Sequence, residues 1–140
     1  MKFVYALSQG LLVEASEETA SVIVFFAPND DEKRYLVDVL GLDHYDVDSA
    51  LDPDEVPRLE VSPDRVSFIL KRPKSATVDD VVRLGVSSVG LFLFQDRLVI
   101  VMGEAPLAFS SKEFQSMASP IDFLLRLVQY TIRHYVGHLK

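Results

Sequence analysis

Apolar positions along the chain change period several times, and each change marks an element. Short apolar runs, "MKFVYAL" and "GLLVEA", stand on either side of Gly10 and predict a β-hairpin. "SVIVFFA", Ser21 to Ala27, is almost continuously apolar, as in a strand buried on both faces. "PNDDEKRYLVDVLG" then switches to helical spacing. Asn29 is placed to cap it with Glu32 as the capping-box partner, Leu36, Val37 and Leu40 form the inward stripe, and Gly41 ends it. Asp43 starts a second, shorter helix to about Leu51, burying Val47, Ala50 and Leu51, with Pro53 and Pro57 stopping it. "DRVSFILKR", Asp64 to Arg72, reads as a strand and "PKSATVDD" as a loop, with a short strand within Val78 to Leu84. "SVGLFLF" and "RLVIVM" flank Gln95-Asp96, a two-residue hairpin turn.

"SSKEF" predicts a short helix with Ser110 and Glu113 as capping box. Ser119 then caps a long helix with Pro120 at its first position. Ile121, Leu124, Leu125, Val128, Ile132, Tyr135, Val136 and Leu139 keep a three-or-four spacing and form its main stripe; Phe123, Leu127 and Tyr130 form a second. So wide an apolar circumference suits a deeply buried helix, or one that also meets another segment or subunit. The helix reaches Lys140 without a stop signal, so the natural chain is expected to continue. Strands alternating with helices predict one α/β domain over residues 1–140: a mixed β-sheet covered by helices on both faces, an α/β/α sandwich with a long C-terminal helix.

The 140 residues suffice for one core, and 49% hydrophobic and 25% charged residues are ordinary globular usage. A net charge of -7 argues against nucleic acid and suits cations or basic partners. The absence of cysteine removes disulfides and thiolate sites. Neither a signal peptide nor an apolar run long enough for a membrane span is present. No nucleophile elbow or phosphate-binding glycine loop occurs, so no enzyme is expected. His134 and His138 share a helix face, but no third metal ligand accompanies them.

The acidic residues are unevenly placed. Asp30, Asp31, Glu32, Asp38, Asp43, Asp46, Asp48, Asp52, Asp54, Glu55, Glu60 and Asp64 are twelve of the 21, offset locally by Lys33, Arg34 and Arg58 alone. Asp48 and Asp52 are four apart and share one helix face, where their repulsion invites a hard cation. Helix capping and a solvated acidic face account for the same residues without a metal.

The order of elements in "YLVDVLGLDHYDVDSALDPDEVPRLEVSPDRVSFILKRP" resembles the amino-terminal cytoplasmic domain of CorA-type magnesium transporters. Gly41-Leu42, Val47-Asp48-Ser49-Ala50-Leu51, Val56-Pro57-Arg58-Leu59-Glu60 and Phe68-Ile69-Leu70-Lys71 match the family's helix end, short helix, polar turn and strand. "SSVGLFLFQDRLVIVMGE" is similar to the hairpin that follows. The resemblance implies a soluble regulatory domain of a homopentameric Mg2+ or Co2+ transporter. Such a domain lies at the cytoplasmic face of the membrane and is held there only through stalk and membrane helices absent from these residues. It implies a regulatory Mg2+ between subunits, with Asp48 and Asp52 as ligands on this chain. Ser49 stands where a second carboxylate is expected, and its neutral hydroxyl implies a site that is weaker, displaced to Asp52 or Asp46, or absent. The alternative is a stand-alone α/β module that binds a partner or small ligand.

Overall fold

The computed structural model describes residues 1–78, 81–103 and 114–139, the side chains of 72–78, 81–86 and 134–139 excepted. The strands are β1 (Lys2–Ser8), β2 (Leu11–Glu14), β3 (Val22–Phe26), β4 (Arg58–Val61), β5 (Arg65–Val78), β6 (Val81–Phe94) and β7 (Leu98–Met102). The helices are α1 (Asp30–Asp38), α2 (His44–Leu51) and α3 (Pro120–Leu139). One seven-stranded sheet runs in the order β2-β1-β3-β7-β6-β5-β4. Only β3 and β7 pair in parallel; the other neighbours are antiparallel.

The continuous apolar runs occupy the middle of the sheet, as their composition requires. Val22 and Val24 of β3, with Leu98, Ile100 and Met102 of β7, face one layer, which holds Phe114, Met117, Phe123, Leu124 and Leu127. Ile23, Phe25, Val99 and Val101 face the other, under Leu36, Leu42, Val47 and Ala50. Period-two alternation thus sorts the apolar residues into two cores, one under α3 and one under α1 and α2. The α/β/α sandwich is the observed architecture.

The local signals have direct structural counterparts. Gln9 and Gly10 both take positive φ, 52° and 80°, as a tight two-residue hairpin demands. Asn29 Oδ1 accepts from the Glu32 N–H at 2.8 Å and Glu32 Oε1 accepts from the Asn29 N–H at 3.1 Å, closing the expected capping box. Ser119 Oγ accepts from the Asp122 N–H at the start of α3. The Phe94 N–H donates to the Arg97 carbonyl at 2.8 Å, which sets the Gln95-Asp96 turn.

Four expectations change. Residues 73–78 are not a loop, and the strand placed within Val78 to Leu84 is not short. β5 and β6 are each 14 residues long and pair from Arg65↔Phe94 out to Val78↔Val81. Pro73 signals a break in sequence, yet β4 pairs β5 only as far as Ile69, so Pro73 lies on a free strand edge, where its missing N–H is tolerated. The segment beginning at Arg58, read as a polar turn, pairs with β5 as strand β4. In α3 the buried side is Phe123, Leu124, Leu127 and Thr131, whereas Ile121, Leu125 and Ile132 are exposed. The second stripe, joined by Leu124 of the main one, faces the sheet. Two contacts set that rotation: Phe114 stacks obliquely against Phe123 and Tyr130 at 5.4 and 5.5 Å, and Arg126 donates to the Gln115 and Ser116 carbonyls. The expected helix at Ser110 and Glu113 lies outside the described residues, as do the side chains of His134 and His138.

Candidate metal centre

The acidic stretch folds around two arginines. Asp46 lies in the first turn of α2, and its Oδ2 accepts from the Asp43 N–H at 3.2 Å. The same oxygen accepts from Arg65 Nη2 at 2.6 Å. Both side chains are almost sealed, 4% exposed for Asp46 and 9% for Arg65. Arg65 also pairs with Asp43 at 3.3 Å and Asp64 at 3.0 Å, and Nη1 donates to the Gly41 carbonyl. Burial works against its charge, but the hydrogen bond to Asp46 and the fields of Asp46, Asp64 and Asp43 outweigh it and raise its pKa. This group ties the start of α2 to the start of β5.

Arg58 organises the second half. Its guanidinium pairs with Glu55 at 2.8 Å and Glu60 at 2.7 Å, and lies 4.6 Å over the Tyr45 ring. Nη2 also donates to Ser49 Oγ at 3.0 Å, and Ser49 is buried. Ser49 therefore points inward, against an arginine, rather than standing beside Asp48 on the surface. Asp46 is likewise internal and committed.

Asp48 and Asp52 are both exposed. Asp52 closes α2: its Oδ1 accepts from the Asp54 N–H at 2.9 Å, and its carbonyl accepts from the Ser88 hydroxyl at 2.6 Å. Lys71 donates to the neighbouring Pro53 carbonyl at 2.6 Å and to Ser88 Oγ. The end of α2 is thus anchored to the sheet through its backbone, and the Asp48 and Asp52 carboxylates project at the surface. Among the described residues no three metal-ligating side chains come together. Two carboxylates can hold a hydrated hard cation loosely; Mg2+ keeps most of its waters in such sites. Sequence reasoning found the carboxylates and named Arg58 only as a local counter-charge; it missed Arg65 and the contacts both arginines make. The available signal was that Arg58 and Arg65 are the cations set directly beside the acidic run.

Among the described residues no helix is long and apolar enough to cross a membrane. No family model and no curated protein sequence matches the chain. Solved structures do. The complete CorA magnesium transporter from Methanocaldococcus jannaschii superposes over 99% of this chain with a TM-score of 0.68 and 19% identity. The soluble domain of CorA from the same organism matches 99% of the chain with a TM-score of 0.64 and 19% identity. The full-length CmaX protein matches 99% with a TM-score of 0.68 and 14% identity. This chain has the fold of the CorA soluble domain. It covers 46%, 57% and 46% of those three chains respectively, about half their length.

Proposed function

We propose that the chain is the cytoplasmic regulatory domain of a CorA-like divalent-cation transporter, acting on Mg2+ or Co2+. The observation that carries the reading is the match over 99% of the chain to both the soluble domain and the complete magnesium transporter. The order of short helix, turn and strand around α2 supports it from the sequence side. On this reading the domain performs no chemistry and serves a homo-oligomer, a pentamer in the full-length protein. Membrane attachment comes from helices outside these 140 residues.

Sensing would work through Asp48 and Asp52. Both stand at the surface, and Asp52 is fixed by the anchored end of α2. A hydrated Mg2+ bridging them to a neighbouring subunit would relieve carboxylate repulsion across the contact, and its loss would loosen the assembly. Because Ser49 is turned inward, the cation site on this chain rests on these two carboxylates alone. The test is a magnesium titration of the membrane-length oligomer. Asp48→Ala should weaken Mg2+-dependent closure by about tenfold, equivalent to about 1.4 kcal/mol. Unchanged affinity and gating would remove Asp48 from the mechanism.

A further inference from the structure

We infer that Lys71 and Ser88 are positioning residues for the Asp52 carboxylate. They latch the end of α2 to the sheet, and the latch sets how tightly Asp48 and Asp52 hold a divalent cation. The inference rests on the cation-sensing reading above and adds to it two residues from outside the acidic stretch.

α2 cannot hold its own C-terminus. It has eight residues, too few for a helix to persist in water without packing. Its last turn carries no basic residue, and Asp52 closes it. Carboxylates at the carbonyl end of a helix meet the negative end of its dipole, so Asp48 and Asp52 work against the turn that carries them. The support comes from β5 and β6, in two successive cross-strand pairs on one face of the sheet. Ile69↔Gly90 is the first, and Gly90 lies so close under Ala50 that an added Cβ would stand 2.5 Å from it. Two residues further along each strand comes Lys71↔Ser88, on the same face by the period of the strand. This pair meets the backbone just past α2. Ser88 Oγ donates to the Asp52 carbonyl at 2.6 Å, and Lys71 Nζ donates to the Pro53 carbonyl at 2.6 Å and to Ser88 Oγ at 2.8 Å. With the ammonium on its oxygen, the Ser88 hydroxyl turns its one proton to Asp52, and the charge strengthens the bonds. Lys71 thus supplies, from the sheet, the cation that α2 lacks at its C-terminus.

The same backbone aims the carboxylate. Asp52 Oδ1 accepts from the Asp54 N–H at 2.9 Å, and the Asp52 carbonyl also accepts from the Glu55 N–H at 3.2 Å. Residues 52–55 therefore form one turn, gripped by the latch at the Asp52 and Pro53 carbonyls. Once released, this turn would have to be ordered by the cation as it bound, and affinity would fall.

Mg2+ titration of closure in the membrane-length oligomer tests the inference through Ser88→Ala, which removes the hydroxyl and changes no charge. The Mg2+ concentration at half closure should rise about fivefold, within the usual range for groups in one hydrogen-bonded network. In an Asp52→Asn background, which keeps the acceptor for the Asp54 N–H, Ser88→Ala should leave half closure unmoved, because no carboxylate is left to aim. The drop in melting temperature in EDTA should be the same in both backgrounds. Hydrogen exchange adds a readout that needs no metal: the Asp54 and Glu55 amides should exchange faster in Ser88→Ala and in Lys71→Met. An equal Mg2+ shift in both backgrounds would reduce Ser88 to a structural role and overturn the inference. An unmoved Mg2+ midpoint in Ser88→Ala, or unchanged exchange at the two amides, would overturn it as well. If Asp52→Asn alone leaves Mg2+-dependent closure unchanged, the cation site itself is wrong, and the latch falls with it.

Discussion

Gly90 marks the closest approach of the α2 layer to the sheet. A Cβ added there would lie 2.5 Å from Ala50 Cβ and 2.7 Å from the Phe92 ring. Neither neighbour can yield, since both are fully buried. Gly90→Ala should cost about 1–3 kcal/mol of unfolding free energy in a urea titration, the usual cost of overpacking. A second residue-scale prediction concerns Glu17. Hydrogen bonds from Lys2 and from the Tyr35 hydroxyl hold its carboxyl below the ordinary 4.5, against the small opposing effect of burial. Burial, followed by the bond to Glu17, pushes Tyr35 up to about 12. The folded state thus prefers the Glu17 carboxylate. Its stabilisation is complete above 4.5 and is lost as pH falls through the lowered folded value. The stability gap between wild type and Glu17→Gln, measured by thermal melting, should be open at neutral pH and shrink progressively as pH falls below the ordinary carboxylate range. A gap that widens in acid would contradict the assignment.

Elements differed in how far the sequence alone disclosed them. α1 and α2 were legible because their signals are local: Asn29 with Glu32 at one end, Gly41 and the prolines at the others. β4 and the outer halves of β5 and β6 were not, because a strand such as Arg58–Val61 is defined by the partner it finds, Val66 to Ile69. The rotation of α3 was hidden for another reason. Two apolar stripes compete on that helix, and contacts from Phe114 and Arg126, distant from the stripes in pattern, choose between them. That choice is measurable. Leu127 is 1% exposed and Leu125 is 59% exposed. Leu127→Ala should cost about 2–5 kcal/mol in the same unfolding assay, and Leu125→Ala under about 0.5. Comparable losses at both positions would mean that the helix packs on its other side. The candidate site was half legible in the same sense. Asp48 and Asp52 were identified by spacing, while the inward turn of Ser49 depends on Arg58, nine residues away in sequence.

At the scale of the whole molecule, two cores sandwich one mixed sheet, and the acidic layer formed by α1 and α2 is held by Arg65 and Arg58. This architecture matches the fold of the CorA soluble domain over nearly the full chain, and the role proposed above rests on that match. Transport itself is the most direct test. The complete reading frame that encodes these residues should be expressed in cells stripped of their own magnesium uptake, and Mg2+ and Co2+ entry measured. The account predicts uptake of at least one of these ions above the empty-vector level, with Asp48→Ala, Asp52→Ala protein less readily shut off by cytoplasmic Mg2+. Uptake of neither ion from a protein shown to be present in the membrane, or a reading frame that encodes no membrane helices, would contradict it.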